Sequence, residues 1–320
     1  MRIIGYFRLS LAFLASPLAW GQDAGTLTLY VSGAQLPDVQ AIVKGFNQIY
    51  PQVEVRVFRS GAGEVAAKIR AELEAGNPQP DLIWSVGTEL FHELRQKGLL
   101  RRVTPTFPSL PPQYVYEGGY YYEVRLLHNI IAVNPKRVPT PPTAWADLAR
   151  PGYKNLVVMA DPNFSGPALV ELGYLTERYG FSFWQKLKEN GLAIEASNPV
   201  LQQKLARGEY GLAITNDYGV RQLLAEGAPL TLVYPKDGAV YAPTPVGIPT
   251  WSRKPDLAEK FLRFLLSERG QQIFSERGYY PVIPGSPPPK GSPQRLASVR
   301  GSEASREVLE RFNALFGLRR

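Results

Sequence analysis

The sequence predicts an α/β protein made of two halves, each a sheet covered by helices. Strand-like and helix-like segments alternate three times between residues 26 and 97, the rhythm of a parallel sheet with helices on both faces. The same theme resumes after about residue 130. A length of 320 residues, 44% hydrophobic and 20% charged, suits one large or two medium domains.

"TLTLYVSG" (26–33) alternates apolar and polar residues and ends in Ser-Gly, so it reads as a strand feeding a loop. Val39, Ile42, Val43, Phe46 and Ile49 follow at helical spacing, and Pro51 ends that helix. "VEVRVFRSG" (53–61) is a second alternating strand. Residues 63–76 form a helix with Val65, Ile69 and Leu73 on one face and Gly76 as its stop. "PDLIWSVG" (80–87) is nearly all apolar, as a strand covered on both faces must be. A helix over 88–97 closes the series.

Proline-rich stretches then bracket "GGYYYEVRLLHNIIAVN", a plausible crossover between halves. Tyr120, Tyr121 and Tyr122 alternate faces there, which turns at least one ring inward. The second half gives a strand at "LVVMA", helices over 183–190 and 220–226, and strands at "GLAIT" and "LTLVYP". Helices follow over 256–266, 268–277 and 302–318.

The N-terminus carries Arg2 and Arg8, an apolar run from Leu9 to Leu14, and small residues at Ala19 and Gly21. That is the pattern of a cleaved export signal over residues 1–21, and the run is too short to span a bilayer. The chain has no cysteine, which excludes disulfides, thiolate metal sites and a lipidated Cys. Its two histidines, His92 and His128, leave no His-rich metal centre. The net charge of +8 favours anionic ligands, but the basic residues are spread along the chain rather than clustered for nucleic acid. No Gly-x-Ser-x-Gly elbow, His-Glu-x-x-His or P-loop lysine motif is present. His92 lies on an amphipathic surface helix and His128 in an apolar run, positions that suit solvation and structure respectively.

Polar, glycine-containing turns precede several helices: Ser32-Gly33, Ser60-Gly61 before Glu64, Ser165-Gly166, Ser197-Asn198 and Asn216-Asp217. Such residues are ordinary helix caps. They also expose free N–H groups and about half a positive charge. In an open α/β sheet these ends gather at the carboxyl edge of the strands, where ligands bind.

The segments "SGAGEVAAKIRAELEAGNPQPDLIW", "PTAWADLARPGYKNLVVMADPNFSG", "ARGEYGLAITNDYG" and "AEKFLRFLLSERGQQIFSERGYYPV" carry a resemblance over nearly the whole chain. The sequence resembles periplasmic substrate-binding proteins of ABC importers, in the group that takes ferric iron, phosphonates and phosphate esters. The resemblance implies a type II fold of two lobes, each a mixed, mostly parallel sheet flanked by helices, with the ligand cleft between them. It places lobe 1 at 22–127 and 244–277, and lobe 2 at 128–243 and 278–320. It implies a periplasmic monomer without enzymatic activity or cofactor, partnered by permease subunits of a transporter, with no part in nucleic-acid binding.

Matched position by position, the anion side of the family's site is kept in Ser165, Gly166, Asn198 and Asn216. Ser32, Gly61, Glu64 and Tyr218 would line the facing wall, Gly33, Gln35 and Ser60 are further ligand-binding candidates, and Arg125 would add a bidentate clamp or else form a surface ion pair. The iron side departs: Gln35 stands near the family's His, and Gly219 replaces its second tyrosine. Only Glu64 and Tyr218 remain as metal ligands. Losing a phenol proton at neutral pH costs about 4 kcal/mol from a pKa near 10, which a metal offsets best with several anionic ligands. The expected ligand is therefore a small phosphate- or phosphonate-bearing anion. Ferric iron with a synergistic anion is the alternative within the class, and a secreted α/β hydrolase the alternative outside it.

Overall fold

The computed structural model describes residues 24–104, 107, 109–293 and 296–318. The segment read as an export signal lies outside these residues. Strands β1 (Gly25–Val31), β2 (Val53–Arg59) and β3 (Leu82–Trp84) pair in parallel, with β1 between the other two. The intervening helices are α1 (Leu36–Ile49), α2 (Ala62–Glu74) and α3 (Glu89–Gln96). Helices α1 and α2 bury most of the stripe their sequences mark, Val39, Ile42 and Phe46 on α1 and Val65 and Ile69 on α2, while Ile49 at the end of α1 is exposed. Gly76, past the end of α2, takes φ +68, a left-handed conformation that favours glycine at a helix stop.

Three further strands complete this sheet. They are β4 (Val115–Tyr116), β5 (Tyr121–Glu123) and, from far along the chain, β12 (Pro245–Gly247). The order is β2-β1-β3-β12-β5-β4, with β12 antiparallel to both neighbours. Tyr121 and Tyr122 are buried, and Arg95 lies 3.8 Å from the Tyr120 ring centre. The three tyrosines therefore belong to packing.

The second sheet holds β6 (Leu127–Val133), β7 (Val157–Ala160), β8 (Ala193–Glu195), β9 (Leu212–Asn216), β11 (Ala239–Ala242) and β13 (Ser298–Arg300). Its order is β13-β11-β6-β9-β7-β8, and β10 (Thr231–Val233) also pairs with β6. The βα part, β8-β7-β9, is parallel, while β6 runs antiparallel to β9 and β11. Helices α4 (Gly166–Tyr179), α5 (Ser182–Glu189), α6 (Asn198–Arg207), α7 (Asp217–Ala225) and α10 (Arg306–Phe316) accompany this sheet. Helices α8 (Pro255–Leu265) and α9 (Glu268–Glu276) return to the first lobe. Phe261 and Phe264 meet Phe46 of α1 there, with ring centres 4.9 and 5.7 Å apart.

The chain passes between the lobes after β5 and again after β11. Glu123 Oε1 accepts from Thr244 N at 2.7 Å and Thr244 Oγ at 2.8 Å, which staples these two passages together. A third strand of chain joins them, since Leu126 N donates to Tyr280 O at 2.7 Å. Arg125 lies beside these passages, fully buried, with its guanidinium 3.8 Å from the Tyr279 ring centre and 4.9 Å from that of Trp84. Its Nη2 donates to Gly33 O at 2.8 Å.

Several details depart from the sequence reading. Helix α7 starts at Asp217 rather than near 220, because the Asn216 side chain accepts from Gly219 N and caps the first turn. The last helix starts at Arg306 rather than 302, capped by Ser305. The preceding chain instead extends across the lobes, where Glu303 accepts from Thr88 N and Glu89 N, both at 3.0 Å, at the start of α3. The short strands β4, β8, β11, β12 and β13, two to four residues each, have no counterpart in the sequence reading, and β13 lies at a sheet edge after a Pro-rich loop.

Candidate functional site

A cleft of about 350 Å³ opens between the two sheets' carboxyl edges. From the first lobe it is lined by Gly33 after β1 and by Arg59 to Ala62 and Glu64 after β2. From the second it is lined by 164–167 after β7, 196–199 after β8, and Asn216 and Tyr218 after β9. The N-termini of α2, α4, α6 and α7 therefore converge on one space. The N–H groups of their first turns and the partial positive charge there make it a place for anionic oxygens.

The lobes touch across this space. A Cβ on Gly61 would lie 2.4 Å from Phe164 O, and one on Gly166 would lie 2.8 Å from Val86 Cβ. Glycine at these positions lets one lobe's backbone meet the other's loops without steric conflict.

The polar side chains are held by one another. Asn198 Nδ2 donates to Ser165 Oγ at 3.0 Å, and Thr215 Oγ donates to Asn198 Oδ1 at 2.7 Å. Asn216 Oδ1 accepts from Gly219 N at 3.3 Å. Glu64, the single carboxylate of the lining, accepts from Ser60 Oγ. Arg59 is pinned through its Nε, which donates to Ala34 O at 2.8 Å. Exposed Phe164 adds an aromatic face at the rim.

Nine of the sequence-derived candidates thus meet in the cleft: Gly33, Ser60, Gly61, Glu64, Ser165, Gly166, Asn198, Asn216 and Tyr218. Three do not line it. Ser32 is fully buried, its Oγ 2.8 Å from Ser85 Oγ and accepting from Val86 N at 2.9 Å. Gln35 stands at the N-cap of α1, outside the cleft. Arg125, expected as a clamp, is enclosed between aromatic rings behind Gly33. Arg59 was missed, because in an alternating strand its position reads as a solvated polar face. The signal that could have found it is its place as the last polar residue before the Ser60-Gly61 turn.

Tyr218 is buried, and its ring stacks on Tyr279 with centres 4.3 Å apart. Burial pushes the Tyr218 phenol above its ordinary value, against the opposing pull of Arg125. Tyr279 is raised further by burial, and its hydroxyl donates to Asp38 Oδ2 at 2.8 Å. A Cβ on Gly219 would stand 2.4 Å from Gln202 Oε1, so a side chain there would have to displace the Gln202 amide. Among the described residues, no group of three or more His, Asp or Glu side chains is placed to hold a metal.

The histidines lie elsewhere. His128 is fully buried, with Nε2 2.8 Å from Ser298 Oγ and Nδ1 3.9 Å from Asp217 Oδ2, too far for a hydrogen bond. Burial holds its pKa down at about 3. His92 sits on α3 with Nδ1 2.7 Å from Glu117 Oε1.

Residues 27–280 match the sequence model of the bacterial extracellular solute-binding proteins. The chain belongs to that family. A relative from Haemophilus influenzae, an uncharacterized protein, is 30% identical over 292 residues, 84% of this chain and 82% of its own. The spermidine/putrescine-binding periplasmic protein of Salmonella typhimurium is 24% identical over 213 residues, 59% of this solute-binding protein and 60% of its own length. Among solved structures, the periplasmic binding protein AfuA from Actinobacillus pleuropneumoniae, with fructose-6-phosphate bound, superposes with a TM-score of 0.80. It covers 92% of this chain and 100% of that one, at 23% identity. That is a likeness of fold, and it gives this solute-binding protein the two-lobed architecture of the periplasmic binding proteins.

Proposed function

We propose that this solute-binding protein is a periplasmic receptor of an ABC importer that captures a small phosphate-bearing anion by closing two lobes over it. The observation that carries the reading is the convergence of Arg59 and four helix N-termini on a cleft with one carboxylate, Glu64. That balance favours acceptor oxygens and disfavours a polycation. The ferric alternative keeps Glu64 and Tyr218 in the cleft, but burial makes the Tyr218 phenolate costlier than the already substantial cost in water.

Thermal unfolding and calorimetry with inorganic phosphate, a hexose phosphate, a phosphonate, spermidine and ferric citrate test the reading. A phosphate-bearing probe is expected to stabilise the protein by about 2.7 kcal/mol at a hundredfold excess over Kd, with no turnover and no response to spermidine. A response to spermidine alone overturns the proposal. So does a red ferric-phenolate absorption that is lost in Tyr218→Phe.

A further inference from the structure

We infer that Gln202 is a positioning residue that sets the polarity of the cleft's second-lobe wall, so that Ser165 and Asn216 meet a ligand as hydrogen-bond donors. The affinity arm of this inference rests on the anion reading above. The geometric argument does not.

Gln202 projects from α6, 3% exposed, and does not line the cleft. Its Nε2 lies 2.8 Å from Thr215 Oγ, 3.1 Å from Asn216 Oδ1 and 3.3 Å from Asn216 O. The direction of the chain is set at its start by a group that has no choice. Gly219 N–H can only donate, so the Asn216 atom facing it is the oxygen. Gln202 then faces two oxygens of Asn216, and only its NH2 can serve them. That amide also donates to Thr215 Oγ, whose remaining partner is Asn198, so the buried threonine hydrogen is satisfied when the Asn198 atom facing it is Oδ1. The Asn198 NH2 is left for Ser165 Oγ, which also accepts from Ala168 N at 3.4 Å.

With its lone pairs so engaged, Ser165 has a hydroxyl hydrogen left over, and Asn216 has its NH2. Both residues line the cleft. The chain of bonds thus runs one way and ends in donors at both cleft positions. A ligand oxygen completes it, whereas an ammonium group would meet donors. Gly219 belongs to the same device, because a Cβ there would stand 2.4 Å from Gln202 Oε1 and 2.7 Å from Nε2. The glycine that removes a possible metal ligand makes room for the amide that orients the anion side.

The test uses Gln202→Met, which keeps the volume and removes the donor, and Gly219→Ala, which displaces the amide from the other side. One readout needs no ligand: the side-chain amide resonances of Asn198 and Asn216, assigned by single substitution. Both variants are expected to shift them while unfolding within a few degrees of the parent. The second readout is the Kd for inorganic phosphate and a hexose phosphate, expected to weaken about tenfold or more in both variants. Unmoved amides in Gln202→Met overturn the inference, as does unchanged affinity of both variants for a phosphate the parent binds. If the parent binds no phosphate compound but the amides shift, the anion reading fails and the polarity of the network stands.

Discussion

Arg59 shows what a single residue contributes to this cleft. Its Nε bond to Ala34 O holds the guanidinium in place, and the side chain is otherwise exposed. Arg59→Ala is therefore expected to weaken a phosphate-bearing ligand by roughly ten- to a hundredfold, the value of one or two charge-assisted hydrogen bonds, and to leave the melting temperature unchanged. Arg59→Lys should recover only part of the loss, since a point charge replaces a fork. Titration calorimetry at fixed salt distinguishes these outcomes, and full affinity in Arg59→Ala would remove the residue from the site. At this scale the sequence was readable where the cleft wall uses local chemistry. Ser165, Asn198 and Asn216 are turn residues before helices, and caps announce themselves. Arg125 and Ser32 were not readable, because what encloses them comes from distant segments: Trp84, Phe274 and Tyr279 around the arginine, Ser85 and Val86 beside the serine.

Elements were legible for a similar reason. The first three strands and helices are punctuated by Gly and Pro, and the periodicity changes sharply at each boundary. Strand β13 and the stretch reaching Glu303 are ordered by partners across the molecule, Tyr241 and the start of α3, which leave no local pattern. The loop between β2 and α2 yields a prediction at this scale. Gly61 has φ −64 and ψ 155, which any residue adopts, so Ala there strains nothing within its own lobe. Its Cβ would nonetheless stand 2.4 Å from Phe164 O in the other lobe. Gly61→Ala is expected to fold as stably as the parent and to lose tenfold or more in ligand affinity by obstructing closure. Small-angle scattering should show no compaction when ligand is added; parental affinity and compaction would refute this.

For the whole molecule, buried ionisable groups set how stability varies with pH. Burial raises Glu171 to about 8 and Glu123 to about 7. A carboxyl raised in the folded state stays protonated there while the unfolded chain ionises, so its contribution is full below the ordinary value of 4.5 and is lost as pH rises through the folded value. His128 acts in the opposite sense. Its folded value of about 3 gives a contribution present above 6.5 and lost as pH falls. Between pH 6.5 and 8 the two glutamates dominate, and stability should decline with rising pH. Glu171→Gln, neutral throughout, is expected to flatten that decline by an amount on the order of a few kcal/mol. Urea unfolding at several pH values measures it, and parallel slopes for parent and variant would count against the assignment.

The position of β12 has a consequence for how the chain can be made. This strand, residues Pro245–Gly247, lies between β3 and β5, so the sheet built from the first residues remains in two pieces until that late segment arrives. Hydrogen bonding across the gap spans well over a hundred residues of intervening chain. Contacts of such long range slow folding and keep early intermediates incomplete. An unfinished polypeptide therefore lacks a closed first lobe at every length short of β12. The binding cleft, whose first-lobe wall rests on that sheet, can therefore form only after residues 245–247 have been made.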